Sequence, residues 1–383
     1  MVNDLMEVDG ADPIDSRLGG SEAQGSGWAW HHPALGLAAT PVPTFAVLLA
    51  GLALGSQGLG VLTPAVLRAV APVIAVATVV LGLLIGLGAT TVPRSGAMGL
   101  GAAAVIEAGV TVGIVTAVFV GVGHLPEWEW AGGVYLPILI GIAAIASAAR
   151  TRAGRQDSMP ARVGDLDDLL TILAGAVLLA YAERGSISSG LVTFGLTTVL
   201  TCMLALAAWL LLSGASGDGE HRVYATGSIL LLTGLAASFS ASTLFAGALA
   251  AVVWSLSASH GREPLARDLR YLQHPVVVLV LVVAGAGATT SLPIVALAGV
   301  LALVRLGAKA IGGALAAPLV PGSDRRLGLT LVAPGVAGIA SILMAGQTMG
   351  LGSGLDNLLG IVVWGAIVSD LLARLASPGE GHA

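Results

Sequence analysis

Charged side chains are scarce in this sequence. Only 10% of the 383 residues are charged, 4% are aromatic, and a single cysteine, Cys202, is present. Soluble domains contain roughly 25% charged residues, so the composition excludes an ordinary soluble domain. One cysteine excludes an internal disulfide and a cysteine-rich metal site. No basic patch indicates binding to nucleic acid.

Lysine is rarer than any other charged residue. The one lysine, Lys309, lies in an apolar run that also contains Arg305. The run, residues 292–317, is long enough to cross a bilayer, which takes about 20 mostly apolar residues. A cation inside such a helix is tolerated only with a partner or a water-filled cavity. The sequence therefore predicts that a carboxylate faces Lys309.

Apolar residues and glycine make up most of what is present. Hydrophobic residues account for 56% of the chain, and 54 residues are glycine, which suits close packing of membrane helices. We therefore predict an all-α polytopic membrane protein with about twelve transmembrane helices. The runs lie near 42–63, 70–90, 96–122, 132–151, 159–182, 189–213, 223–239, 241–257, 275–290, 292–317, 327–347 and 356–376.

The distribution of arginine orients these spans. With the N-terminus in the cytoplasm, nearly all loop arginines fall on the cytoplasmic side, and only Arg68 and Arg184 fall outside. This is the positive-inside bias of membrane proteins. We therefore expect a multi-pass protein of the cell (inner) membrane with both termini in the cytoplasm.

The first 40 residues differ from the rest of the chain. They are acidic and rich in Gly, Ser and Ala, without the apolar core of a signal peptide. We interpret residues 1–40 as a flexible cytoplasmic tail. Residues 41–383 then form the membrane transporter domain.

Two neighbouring acids stand out in the segment 164–170, GDLDDLL, near the start of the fifth span. Asp168 lies about nine residues into that helix, or roughly 13 Å below the surface at 1.5 Å per residue. Adjacent carboxylates in a low-dielectric site do not both ionise cheaply unless a cation lies nearby. We expect Asp167 and Asp168 to bind protons and a cation such as Na⁺, with Lys309 as their ion-pair partner. Asp165 is expected only to cap the helix at the cytoplasmic boundary.

Glu107 is a further acid within the membrane, in the third span. Intramembrane acids pair with cations or mark proton paths. We expect Glu107 to form a structural pair with Arg305, and an accessory proton path is the alternative.

Two spans carry residues that interrupt helices. Pro334 and Gly335 lie in the middle of the eleventh span, and Pro137 and Gly141 are expected to do the same in the fourth. Such a pair of broken helices is typical of transporters built from inverted repeats, in which freed carbonyls and helix ends form an ion site. Spans three to five and ten to twelve would be the related triplets.

Several segments together resemble the monovalent cation–proton antiporter superfamily. ARVGDLDDLLTILAG resembles the aspartate-pair helix of its electrogenic sodium–proton branch, and VRLGAKAIGGALAA resembles the helix with that branch's lysine. LLAGLALGSQGLGVL resembles an early glycine-rich helix, and LVAPGVAGIASIL resembles the second of two crossing broken helices.

The resemblance implies a core of about 96–182 and 292–376, with the remaining helices forming a dimerisation scaffold. It implies that Asp168 carries the cation or proton, and that Asp167 forms an ion pair with Lys309 that breaks when the cation binds. Proton release from both Asp168 and Lys309 would make exchange electrogenic. The chain would be a homodimer in membrane lipid. Its only ligands would be the transported ions, with no cofactor.

One departure concerns the first crossing helix. The family often has a Thr-Asp or hydroxyl motif there, whereas this sequence offers only Gly141 and Ser147. Backbone carbonyls would then contribute more to the site, and K⁺ stays open beside Na⁺ and Li⁺.

The sequence thus predicts a secondary antiporter that exchanges a monovalent cation for protons by alternating access, and no enzymatic activity. A sodium-coupled organic anion symporter and a non-transporting sensor or scaffold are the alternatives. An intramembrane aspartyl protease is disfavoured, because its two acids lie on different helices and Lys309 would neutralise an adjacent pair.

Overall fold

The computed structural model describes residues 44–90, 97–124, 135–148, 159–256, 262–320, 323, 326–349 and 355–375. All of them belong to one unit, Ala34–Ala383. Within these ranges the chain forms helices α1 (Thr44–Leu54), α2 (Pro64–Ala89), α3 (Ala97–Gly123), α4 (Tyr135–Ile145), α5 (Met159–Arg184), α6 (Ile187–Gly214), α7 (Asp218–Ser238), α8 (Thr243–Leu256), α9 (Arg262–Gly287), α10 (Leu292–Ala316), α11 (Leu327–Thr330), α12 (Val336–Met349) and α13 (Leu355–Leu375). The tail, 1–40, lies outside the described residues.

Each of the twelve expected spans coincides with helix in the described ranges, and the eleventh is divided into α11 and α12. The bounds differ most at α1 and α9. Helix α1 ends at Leu54 because a glycine-rich turn follows, in which Gly60 adopts a positive φ of 68°. Helix α9 begins at Arg262, well before its apolar part, since hydropathy does not detect a polar first turn.

Six of the described helices are long and apolar enough to cross a bilayer, judged by length and composition. Their outer faces carry exposed apolar side chains. Val192 on α6 is 70% exposed and Leu303 on α10 is 65% exposed, whereas Lys309 is fully buried. This arrangement, with the charge inside and apolar side chains outside, is the one that a lipid environment favours.

Glycines allow two pairs of helices to pack backbone against backbone. A Cβ at Gly82 of α2 would overlap the carbonyl oxygen of Leu244 of α8, and a Cβ at Gly247 would overlap that of Val79. Helices α1 and α9 pack in the same way through Gly51 and Gly285.

The fourth and eleventh spans are interrupted where they meet. Helix α4 ends at Ile145, and Ser147 forms an antiparallel bridge with Pro334 in the break between α11 and α12. The backbone N–H of Ala148 donates to the carbonyl of Ala333 at 2.9 Å, and that of Gly335 donates to Ala146 at 3.1 Å. The break at Pro334 and Gly335 is therefore confirmed.

The expected break at Pro137 and Gly141 is wrong. Pro137 lies in the first turn of α4, where a missing N–H costs no helical hydrogen bond. Gly141 lies inside α4, and a Cβ there would overlap the side chain of Thr116 on α3. The chain leaves the helix only after Ile145, where the second break supplies hydrogen bonds.

Substitution of Gly82 tests the packing of α2 against α8. We expect Gly82→Ala to lower stability by about 1–3 kcal/mol, because the new methyl group has no room beside the Leu244 carbonyl. Thermal unfolding of the detergent-solubilised protein measures this effect. Gly227→Ala on α7, where no atom lies within 4 Å of the added Cβ, is the matched control and should not lower the melting temperature. Equal melting temperatures for the two variants would contradict the packing described.

Candidate functional site

The crossing of the two breaks lies beside charged residues from three helices. Helix α3 contributes Glu107, α5 contributes Asp167 and Asp168, and α10 contributes Arg305 and Lys309. All five side chains are buried, with exposed fractions between 0% and 5%. So many buried charges require partners at short distance.

Lys309 lies at the centre of this cluster. Its Nζ is 3.0 Å from Oδ2 of Asp167 and 2.9 Å from Oε1 of Glu107. It also donates to the carbonyl oxygen of Ile145, the last residue of α4, at 2.6 Å. The predicted contact between Lys309 and Asp167 is present, and Glu107 provides a second carboxylate.

Asp167 is fixed on one side and open on the other. Its Oδ2 accepts hydrogen bonds from Lys309 and from the hydroxyl of Ser147, the latter at 2.8 Å. Its Oδ1 is buried and accepts no hydrogen bond from the described part of the chain. Ser147 thus ties the aspartate pair directly to the break that follows α4.

Asp168 faces the break in the other broken helix. A Cβ at Gly335 would lie 2.6 Å from Oδ1 of Asp168 and 2.7 Å from the backbone nitrogen of Ser147. Only glycine leaves this space open. No group among the described residues donates to Oδ1 of Asp168. This buried oxygen at the crossing can therefore accept a proton or coordinate a cation.

Arg305 holds the two breaks together. Its guanidinium donates to Ala144 at 3.0 Å and to Ala146 at 2.7 Å at the end of α4. It also donates to the carbonyls of Val332 and Ala333, which precede α12. These carbonyls have lost their helical partners, so one side chain satisfies acceptors from both broken helices.

Glu107 is not paired as expected. Its carboxylate contacts Lys309 and accepts a hydrogen bond from Thr111 at 3.0 Å. Arg305 donates to backbone carbonyls instead. The predicted pair of Glu107 with Arg305 is therefore wrong, because the broken helices present free carbonyls to the guanidinium.

Of the remaining predicted site residues, Pro137 lies away from the charged side chains, whereas Pro334 and Gly335 contribute their backbone to the crossing. Pro137 is eight residues before the end of α4, about 12 Å along its axis. Pro334 and Gly335, with Arg305 and Ser369, line a cavity of about 20 Å³, room for roughly one water molecule. Sequence reasoning missed Thr111, although its position one turn after Glu107 places it on the same helix face.

No group of three or more His, Cys, Asp and Glu side chains among the described residues is arranged to hold a metal ion. A cation that binds only transiently needs no such cage, since it must also leave the site. The carboxylate oxygens of Asp167 and Asp168 together with freed carbonyls are the oxygen ligands that hard cations prefer.

No protein-family model and no curated protein matches this sequence. Among solved structures, the chain is similar to the sodium/proton antiporter MjNhaP1 from Methanocaldococcus jannaschii, with a TM-score of 0.63 and 17% identity. The similarity covers 87% of this chain and 90% of that chain. The chain has the fold of that antiporter. With its six long apolar helices, this fold makes it a multi-pass membrane protein.

Removal of the buried cation tests the charge cluster. We expect Lys309→Met to lower stability by about 3–5 kcal/mol, because two carboxylates are left buried without their partner. Thermal unfolding measures the loss. Arg68→Met, at an exposed arginine on α2, is the control and should change stability by less than about 0.5 kcal/mol.

The double variant Lys309→Met/Glu107→Gln should recover part of the loss, since one buried carboxylate is removed. If the double variant is no more stable than Lys309→Met, Glu107 does not depend on Lys309 for its charge.

Proposed function

We propose that this chain is a secondary antiporter that exchanges a monovalent cation, Na⁺ first and Li⁺ or K⁺ as alternatives, for protons across a membrane. The observation that carries the proposal is the buried carboxylate of Asp168, whose Oδ1 faces the crossing of two broken helices and receives no hydrogen bond from the residues that the structure describes. The fold shared with a sodium/proton antiporter supports it.

In the proposed exchange, Asp168 binds either a proton or the cation. The neutral carboxylic acid needs no counter-charge in a low-dielectric site, and the carboxylate needs the cation as one. Binding of the cation therefore releases the proton, and binding of a proton releases the cation. Oδ1 of Asp167 and the carbonyls of the breaks would complete the oxygen ligands.

We propose alternating access through two inverted repeats, α1–α5 and α8–α13. A two-fold operation that exchanges α1 with α8 and α2 with α9 would carry the α1–α9 contact onto the α8–α2 contact. Both contacts depend on a reciprocal pair of glycines, Gly51 with Gly285 and Gly82 with Gly247. The same operation would exchange the break after α4 with the break before α12. Such symmetry gives the site two equivalent routes, one to each side.

The homodimer, the inner membrane and the cytoplasmic position of both termini stay predictions from the sequence. Exposed apolar side chains along α6, among them Leu191 and Leu210, offer a surface that either lipid or a second copy would cover.

An organic anion symporter is the weaker candidate. The cavity beside Arg305 has room for roughly one water molecule. An organic substrate would need a larger polar space at the crossing.

Transport in proteoliposomes tests the proposal. We expect Na⁺, Li⁺ or K⁺ to dissipate an imposed pH gradient, and the most effective of the three identifies the ion. Asp168→Asn should abolish this proton movement, because the amide can exchange neither a proton nor a counter-charge. The luminal pH dye signal is the measurement.

Asp165→Asn is the matched control, since it makes the same change one turn away on the same helix at a partly exposed position. It should retain exchange. No cation-dependent proton movement in the wild type would contradict the antiporter and favour a sensor or scaffold. Activity retained in Asp168→Asn would place the carrier elsewhere.

A further inference from the structure

Lys309 contacts two carboxylates. If Asp167 turns toward a bound cation, Glu107 still lies 2.9 Å from Nζ and the carbonyl of Ile145 lies 2.6 Å from it. Nζ also lies 3.0 Å from the second oxygen of Glu107, Oε2. The ammonium group therefore keeps three acceptor oxygens for its three N–H donors when the contact with Asp167 is lost.

Glu107 is also held independently of the crossing. Thr111 donates to its carboxylate at 3.0 Å within α3. Its backbone packs against Gly312 of α10, where an added Cβ would lie 3.1 Å from the carbonyl oxygen of Glu107. Glu107 and Lys309 are thus fixed to each other through two closely packed helices, while Asp167 belongs to the helix that carries the site.

The charges of the cluster balance in both the proton-bound and the cation-bound state when Lys309 stays protonated. Two cations, Arg305 and Lys309, interact with three carboxyls, Glu107, Asp167 and Asp168. With a proton on Asp168 the cluster is neutral, and with a monovalent cation on its carboxylate the cluster is neutral again. Loss of the lysine proton in the cation-bound state would leave one uncompensated negative charge, which is costly in a buried site.

One further carboxylate approaches the site. Asp165 lies on the same helix as Asp168 and interacts with it. It is partly exposed and interacts with Arg162, so it has a cationic partner outside the cluster.

We propose that Glu107 keeps Lys309 protonated through the whole cycle, so that one proton is exchanged for each cation and no net charge crosses the membrane. The inference rests on the proposed function. The step is Asp168–COOH plus the cation giving the Asp168 carboxylate–cation pair plus one proton. Lys309 neither gains nor loses a proton. Exchange is therefore electroneutral, in contrast to the electrogenic exchange that the sequence resemblance implies.

Removal of the Glu107 charge should change the stoichiometry. Without that carboxylate, Asp167 is the only carboxylate bonded to Lys309 among the described residues, and Lys309 loses this partner when Asp167 turns toward the cation. The proton-bound cluster then carries one net positive charge, and the cation-bound cluster becomes neutral when Lys309 releases its proton. Glu107→Gln should then release two protons for each cation. Glu107→Asp keeps the charge and Thr111→Val removes only a neutral donor, so both should stay one-for-one.

The Na⁺ gradient that just stops proton movement measures the stoichiometry. In proteoliposomes with the membrane potential held at zero and a pH difference of one unit, one-for-one exchange stops at about a tenfold Na⁺ gradient. Two-for-one exchange stops at about a hundredfold gradient. We expect about tenfold for the wild type, Glu107→Asp and Thr111→Val, and about hundredfold for Glu107→Gln.

An imposed membrane potential gives the second readout. It should not alter the rate of the wild type but should alter that of Glu107→Gln. A hundredfold null gradient or a potential-dependent rate in the wild type overturns the inference while exchange itself stands, and this decides the matter even if Glu107→Gln does not fold. A tenfold null gradient in Glu107→Gln overturns the role of Glu107. Absence of any Na⁺-dependent proton movement in the wild type overturns the proposed function with Na⁺ and this inference with it.

Discussion

A backbone that leaves its helix inside a membrane exposes N–H and C=O groups that lipid cannot satisfy. Here the two interrupted spans satisfy each other. Ser147 and Pro334 pair as extended backbone, and Ala148 and Gly335 donate across the crossing. Arg305 donates to four carbonyls at the crossing. Those of Ala146 and Ala333 already accept these backbone bonds, and those of Ala144 and Val332 do not. The crossing exists because these groups complement one another, and the position of Asp168 depends on it.

The cost of buried charge explains why the cluster has its composition. A lysine inside a bilayer requires compensation, and a lone carboxylate beside it would be held in a permanent pair. A second carboxylate changes this situation, because Lys309 can be satisfied by Glu107 while Asp167 stays close enough to respond to an ion. The surplus acid is then Asp168, the only one of the three carboxyls that is not bonded to Lys309. The proposed exchange takes place on that surplus group.

Much of this arrangement could be predicted from the sequence, for reasons of different strength. Hydropathy located the helices because each apolar run is bounded by polar or glycine-rich residues, and six of the described helices are long and apolar enough to cross a membrane. Pro334 and Gly335 marked one break, since proline removes a donor locally. The contact of Asp167 with Lys309 followed from the scarcity of partners for a single lysine.

The break after α4 could not be predicted, because Ala146, Ser147 and Ala148 carry no signal that distinguishes them from helix. Their extended conformation is imposed by the opposing chain. The partner of Glu107 could not be predicted either. Two cations four residues apart offered the same helix face to it, and only the carbonyls freed by the crossing decide that Arg305 is already occupied.

This division between Arg305 and Lys309 has a physical consequence. Arg305 donates to neutral carbonyls, so its bonds do not depend on whether a proton or a cation occupies the carboxylates. Its planar guanidinium suits this role, because it presents several donors in fixed directions. Lys309 has a compact charge on a flexible stem, and its bonds are to carboxylates. One turn of α10 thus contains a cation bonded to the backbone of the crossing and a cation bonded to the carboxylates beside the proposed exchange site. If the two residues were exchanged, the hydrogen bonds of the crossing would depend on a side chain that also contacts the carboxylates. The crossing would then be affected by the ion that the protein is proposed to carry.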